Sequence, residues 1–190
     1  MHKFQAINRK KLDNSKRREI LPPKETLMKL GLKFDDIVAD IGCGIGYFTF
    51  PAANIVNKKN KVYALDISNE MLDDIKNKMN EKNVRNITCK KTEEYDLKLE
   101  DKSVTYVIMV NVLHEIEDKI KMLKEIHRIL KSGGKIAIID FEKKETEEGP
   151  PVGHRIAKEE LLDLYKICGF EVIDEISFSN IFYGLVAKNC

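Results

Sequence analysis

Val38-Ala39-Asp40-Ile41-Gly42-Cys43-Gly44-Ile45-Gly46 is an apolar run that ends in an acid and passes directly into a GxGxG turn. Glycine permits the tight turn and lets a ligand press against bare backbone. The helix predicted over 45–56 adds unpaired N–H groups and the positive end of its dipole. A second apolar stretch, 61–66 (KVYALD), also closes on an acid, Asp66, twenty residues after Gly46. At the carboxyl end of a neighbouring strand, Asp66 is placed to accept hydrogen bonds from both hydroxyls of an adenosine ribose. Its other possible task, capping the next helix, is better met by Ser68. Strand, glycine turn, helix and second acid together point to an α/β nucleotide-binding fold.

Working outward, apolar runs alternate with helical periodicity to the end of the chain, as in a sheet covered by helices. Strands are predicted at 36–41, 61–66, 86–90, 104–111, 135–141, 170–177 and 181–188. Helices are predicted at 23–30, 45–56, 69–82, 117–131 and 158–168. Ile120, Leu123, Ile126 and Leu130 recur at 3- and 4-residue spacing in one of these. Ser132-Gly133-Gly134 reads as a helix stop and turn. Ser179-Asn180 is too short for a parallel crossover, so the last strand runs antiparallel to its neighbour. The expected fold class is α/β: one doubly wound, Rossmann-like, seven-stranded sheet, mostly parallel with an antiparallel last strand, and helices on both faces. Residues 32–190 form this domain. Residues 1–31 fall outside the rhythm and read as an N-terminal helical cap or lid, with Pro22-Pro23 opening its helix.

The chain has 190 residues, 43% hydrophobic, enough for one domain with a sizeable core. Its 33 Lys+Arg nearly cancel 31 Asp+Glu, leaving no net field to draw nucleic acid. Seven of the basic residues crowd the first eighteen positions, where they read as a solvated face rather than an RNA contact. Cys43, Cys89, Cys168 and Cys190 form no CxxC pair, which argues against a zinc ribbon or a disulfide scaffold and for a reducing, cytoplasmic setting. No metal site is expected, because four scattered thiols give no converging ligand set. No apolar run is long enough to span a bilayer, and no membrane association is expected.

Two nucleotide classes share this layout, dinucleotides and S-adenosylmethionine. A dinucleotide fingerprint needs a third glycine at position 47, where Tyr47 stands and would crowd a pyrophosphate. At 40–46 (DxGxGxG), 64–68 (ALDIS), 92–94 (TEE) and 130–135 (LKSGGK), the chain resembles the class I S-adenosylmethionine-dependent methyltransferases, in their small-molecule, ubiquinone/menaquinone-type branch. The resemblance covers about residues 32–190. It implies S-adenosylmethionine as cofactor, with Asp40 holding the methionine ammonium and Gly42, Cys43, Gly44 and Gly46 wrapping the amino-acid part. Asp66 and Ile67 fall at the ribose side, Glu93 at the adenine amino group, and Asn111 completes the cofactor-binding set. One departure is Thr105-Tyr106, where the family usually carries an acid near the start of its fourth strand.

Methyl transfer from a sulfonium is an in-line displacement, so alignment supplies much of the rate. A base is needed only if the acceptor must lose a proton. Asn111-Val112-Leu113-His114-Glu115 follows the fourth strand, where such a base belongs; His114 has the right titration range. His114 packing under the cofactor or capping a helix is the competing reading, as is Glu115 serving as a first-turn acid. His154-Arg155 ends the Pro/Gly-rich loop 142–153, so His154 is a further catalytic candidate, against a solvated loop. The asparagine-proline-proline-aromatic motif of amino-group methyltransferases is absent. DNA amino-group methylation is therefore disfavoured, and the resemblance to the small-molecule branch implies a small-molecule methyl acceptor as partner. An RNA or protein methyltransferase, and a noncatalytic S-adenosylmethionine-binding regulator, are the alternatives.

Overall fold

Alternating side chains along the strands split between two cores, and that split builds the fold. Ala39, Ile41, Val107, Met109, Ile136 and Ile138 pack on one side with Leu123, Ile126, Leu161 and Tyr165 from two helices. Val38, Ala64, Tyr106, Ile108, Ala137 and Ile139 face the other side, against Leu27, Ala52, Ala53, Leu72 and Ile75 from three others. Helices therefore cover both faces, as strands buried on two sides require. The structure, a computed structural model, describes residues 13–146 and 149–190.

The elements run α1 (Ser15–Ile20), α2 (Pro23–Lys29), β1 (Val38–Ile41), α3 (Thr49–Ile55), β2 (Val62–Asp66), α4 (Asn69–Glu81), β3 (Ile87–Lys91), β4 (Val104–Val110), α5 (Lys119–Ile129), β5 (Leu130–Phe141), α6 (Lys158–Ile167), β6 (Phe170–Phe178) and β7 (Phe182–Asn189). The seven strands lie in the order β3-β2-β1-β4-β5-β7-β6. The first five are mutually parallel, and β7 is antiparallel to both β5 and β6. Sequence order reverses on either side of β1, so β1 and β4 flank the switch point where open α/β sheets bind ligands. Ser68 caps α4 through Met71 N–H and Asp118 caps α5 through Lys121 N–H.

Two local expectations change. The helix after the glycine turn begins at Thr49, because residues 42–48 are spent on the turn itself. Ser132-Gly133-Gly134 is a bulge rather than a simple turn. Val104 pairs with Leu130 and Tyr106 with Lys135, so four residues of β5 loop out opposite Thr105 alone.

The N-terminal segment is anchored to the core through α2 and the leucines that flank it. Leu21, Leu27 and Leu30 are buried among Val38, Phe48 and Tyr106, and the Tyr106 hydroxyl donates to Leu30 O. Residues 1–12 of the expected cap, with most of its basic cluster, lie outside the described residues. Thr105 takes up the structural work of the missing acid: its Oγ1 donates to Asp36 Oδ1 at 2.7 Å and accepts from Ile37 N–H at 2.9 Å. Among the described residues no helix is long and apolar enough to cross a membrane.

Candidate cofactor and acceptor site

Because the five parallel strands point the same way, their terminal polar residues gather at one edge of the sheet. Asp40 is the penultimate residue of β1, Asp66 ends β2, Asn111 follows β4, and Asp140 sits one residue before the end of β5. Between them runs the glycine turn. Gly42 N–H and Cys43 N–H both donate to Leu65 O, at 2.8 and 3.1 Å, which ties the turn to β2. Lys78 Nζ of α4 braces it from outside through Ile45 O.

Glycine is required at 42 for two reasons. Its φ is +66°, and a Cβ there would lie 2.4 Å from Val112 Cγ2, on the segment leaving β4. The turn and the post-β4 segment are thus in contact across the switch point. Cys43 is buried, and burial pushes its thiol well above the ordinary range, so its contribution is through backbone rather than sulfur.

The two acids are held differently. Asp40 is buried and accepts from Thr49 Oγ1 at 2.6 Å. Burial, together with the charge of Asp66, pushes its carboxyl up to about 7 against the opposing pull of Thr49 and Arg17. Asp66 is half-buried; Gly44 N–H donates to its Oδ2 and Ser68 N–H to its Oδ1, each at 2.9 Å. Burial raises this carboxyl too, opposed by those backbone donors.

Three features fit an adenosyl amino acid. Asn111 holds a positive φ of 57°, and its Oδ1 is buried without a hydrogen-bond partner, an acceptor facing no donor of the chain. Ile67, next to Asp66, is 44% exposed, an apolar shelf suited to a flat base. Asp40 and Asp66 offer one withdrawn and one accessible carboxylate on adjacent strands. Glu93 is less committed: its side chain is 75% exposed and pairs with Lys98 Nζ at 3.1 Å. Its neighbour Thr92 is the residue that adjoins Asp66, donating N–H to Asp66 O at 3.0 Å.

Beyond β4, His114 Nδ1 lies 2.7 Å from Asp140 Oδ1, with Asp140 fully buried. Asp140 also accepts from His114 N–H at 3.3 Å and Phe141 N–H at 2.8 Å. Donation of Nδ1–H to this carboxylate leaves the lone pair of the neutral ring on Nε2. Nε2 is 4.0 Å from Glu115 Oε1. Burial by itself would lower the His114 pKa, but the hydrogen bond and charge of Asp140, with the charge of Glu115, outweigh it and shift it upward. The His114 ring meets the Phe141 ring edge-on at 6.1 Å.

His154 and Arg155 divide. His154 ends a short 3-10 helix and is exposed, whereas Arg155 is buried beneath the loop. Arg155 donates to the carbonyls of Pro150, Glu142 and Lys144 and lies over the Phe141 ring, so it pins the loop rather than facing an acceptor. Cys43 and Cys168 belong to cores on opposite faces of the sheet and do not converge.

Sequence reasoning missed Asp140 and Arg17. Asp140 closes the apolar run KIAIID as Asp40 and Asp66 close theirs, a signal that was present. Arg17 had none, being one of seven early basic residues.

The profile of a family described as a methyltransferase domain matches residues 39–138. The demethylmenaquinone methyltransferase of Oceanobacillus iheyensis is 27% identical over 134 residues, 70% of this chain and 54% of that protein. That of Bacillus mycoides is 30% identical over 132 residues, with the same two shares. The chain spans about half the length of these curated relatives. A crystal structure of an S-adenosylmethionine-dependent methyltransferase from Aquifex aeolicus superposes with a TM-score of 0.93 at 31% identity, over 99% of this chain and all of that one.

Proposed function

The chain belongs to the S-adenosylmethionine-dependent methyltransferase family, and from that premise we propose that it methylates a small molecule whose accepting group must give up a proton. One observation carries the acceptor part: the His114–Asp140 pair at the end of β4 and β5, held at 2.7 Å with Nε2 left free of Asp140. The names of the quinone-type relatives, demethylmenaquinone methyltransferases, support a small-molecule acceptor.

Bound S-adenosylmethionine supplies an activated methyl group on a sulfonium that loses its charge on transfer. The chain's own residues bind and orient. Asp40 would hold the ammonium, the turn 42–46 the amino-acid part, Asp66 the ribose hydroxyls, Ile67 and Glu93 the adenine, and Asn111 Oδ1 a donor of the cofactor. His114 Nε2 takes the acceptor's proton, and buried Asp140 stabilises the resulting imidazolium while fixing the ring. Arg155 keeps the loop after β5 in place beside Phe141, and His154 and Glu115 stand as the outer polar groups. Residues 13–31, 142–146 and 149–157 would form the acceptor-side lid. The free thiols suit a reducing compartment such as the cytoplasm.

Calorimetric titration of the purified chain with S-adenosylhomocysteine and with NAD tests the cofactor part. Stoichiometric binding of the first alone is expected, and equal or tighter NAD binding overturns it. Transfer of labelled methyl to small molecules from extract tests the acceptor part. Label found only in RNA or protein favours those acceptors instead, and cofactor binding without any transfer favours a regulator.

A further inference from the structure

Arg17, in the short helix α1, reaches the glycine turn from outside the sheet. Its guanidinium carbon lies 4.7 Å from the centre of the Tyr47 ring, and the Tyr47 hydroxyl donates to Leu21 O at 2.9 Å, so the helix and the turn are fastened together. Arg17 Nε is buried and makes no hydrogen bond. A guanidinium taken from water without filling its donors is costly unless an anion completes it. Arg18, one residue on, is the contrast: it is exposed and already paired with Asp13.

The anion that Arg17 awaits is indicated by its neighbour. Arg17 and Asp40 each feel the other's charge, yet Asp40 spends its hydrogen bond on Thr49 rather than on Arg17. A partly buried cation and a buried anion thus flank one glycine turn without closing on each other. That is a complement to a zwitterion, and Asp40 answers only its ammonium half.

We propose that Arg17 binds the α-carboxylate of the cofactor's amino-acid part, making the N-terminal segment a cofactor clamp. Tyr47 then has a positive role where a dinucleotide fold keeps glycine: its ring positions the guanidinium. The inference rests on S-adenosylmethionine being the cofactor, and the test separates the two.

The full chain is titrated with S-adenosylhomocysteine and with 5′-methylthioadenosine, which keeps the adenosine and sulfur but lacks the amino-acid part. In Arg17→Gln, the preference for S-adenosylhomocysteine over methylthioadenosine should fall about tenfold or more, the size expected for a lost charge-assisted hydrogen bond. Arg17→Lys should restore part of it, and Arg18→Gln should leave it unchanged. A smaller fall in the ratio, including equal weakening of both ligands, overturns the clamp while leaving the cofactor assignment standing. Failure of the unsubstituted chain to bind either ligand overturns both.

Discussion

Gly44 donates its backbone N–H to Asp66 Oδ2 at 2.9 Å, so the turn after β1 and the acid ending β2 are one hydrogen-bonded unit. Asp66 therefore holds the turn in shape, and in the proposed cofactor site it would also present lone pairs to a ribose. Asp66→Ala should weaken S-adenosylhomocysteine binding by about 1.5–3 kcal/mol, the range for removing an ionised acceptor. Asp66→Asn should cost less, because its remaining carbonyl oxygen still accepts one bond. Calorimetry with a melting curve on the same samples checks this, and unchanged affinity in a folded Ala variant rejects the ribose role.

Asp40 makes cofactor affinity depend on pH. Its carboxyl, pushed up to about 7 by burial, is mostly protonated in the free protein at slightly acid pH, whereas a bound ammonium favours the ionised form. Affinity for S-adenosylhomocysteine should rise as pH increases toward about 7 and then level, with up to one proton released on binding below that point. Titration in buffers of different ionisation enthalpy measures the release. The free protein's stability has the opposite slope. A carboxyl with its folded value above its ordinary 3.8 contributes stability below 3.8 and loses it as pH rises through about 7. Asp40→Asn should flatten both trends, binding less tightly while melting higher at neutral pH.

Much of this site was legible because it is written in consecutive residues. The glycine turn and the acids Asp40 and Asp66 are each a strand end followed by a turn, and the parallel order of β1 and β2 brings them together without further information. Asn111 and His114 were legible for the same reason, as residues leaving β4. What could not be read was pairing across the sheet. The partner of His114 comes from β5, twenty-six residues on, and nothing in either segment names the other. Helix α3 was read four residues too early because turn and helix share the same apolar composition. The N-terminal segment was read as an appendage because its basic residues hid Leu21, Leu27 and Leu30, whose burial against β1 and β4 fixes where Arg17 stands.

The contact between Gly42 and Val112 predicts a double-mutant result. Gly42→Ala introduces a methyl 2.4 Å from Val112 Cγ2 at a φ of +66°. The clash and the backbone strain are separate penalties, the second roughly 1–2 kcal/mol for a residue with a Cβ in the left-handed region. Gly42→Ala should lose most cofactor binding, and adding Val112→Ala should recover a part but not all of it. Additive losses in the pair would mean that turn and post-β4 segment are not coupled.

The proposed acceptor-side base, His114, gives the sharpest kinetic prediction. Only the neutral His114 ring can take a proton, and Asp140 and Glu115 together lift its pKa above the ordinary 6.5. Once an acceptor is in hand, kcat/KM should therefore rise with pH along a limb centred above 6.5. Asp140→Asn removes the charge that raises it, so the limb should move to lower pH, and the plateau should drop because the ring loses the carboxylate that stabilises its protonated form. His114→Gln should lower turnover by a factor on the order of 100 or more, the usual worth of a positioned base, while leaving S-adenosylhomocysteine affinity within about threefold, roughly 0.7 kcal/mol. Stability carries the same signature: the charged pair stabilises the fold fully below 6.5, and that contribution is lost as pH rises through the higher folded value. Full turnover in the Gln variant would return His114 to a packing role under the cofactor and leave transfer to alignment alone.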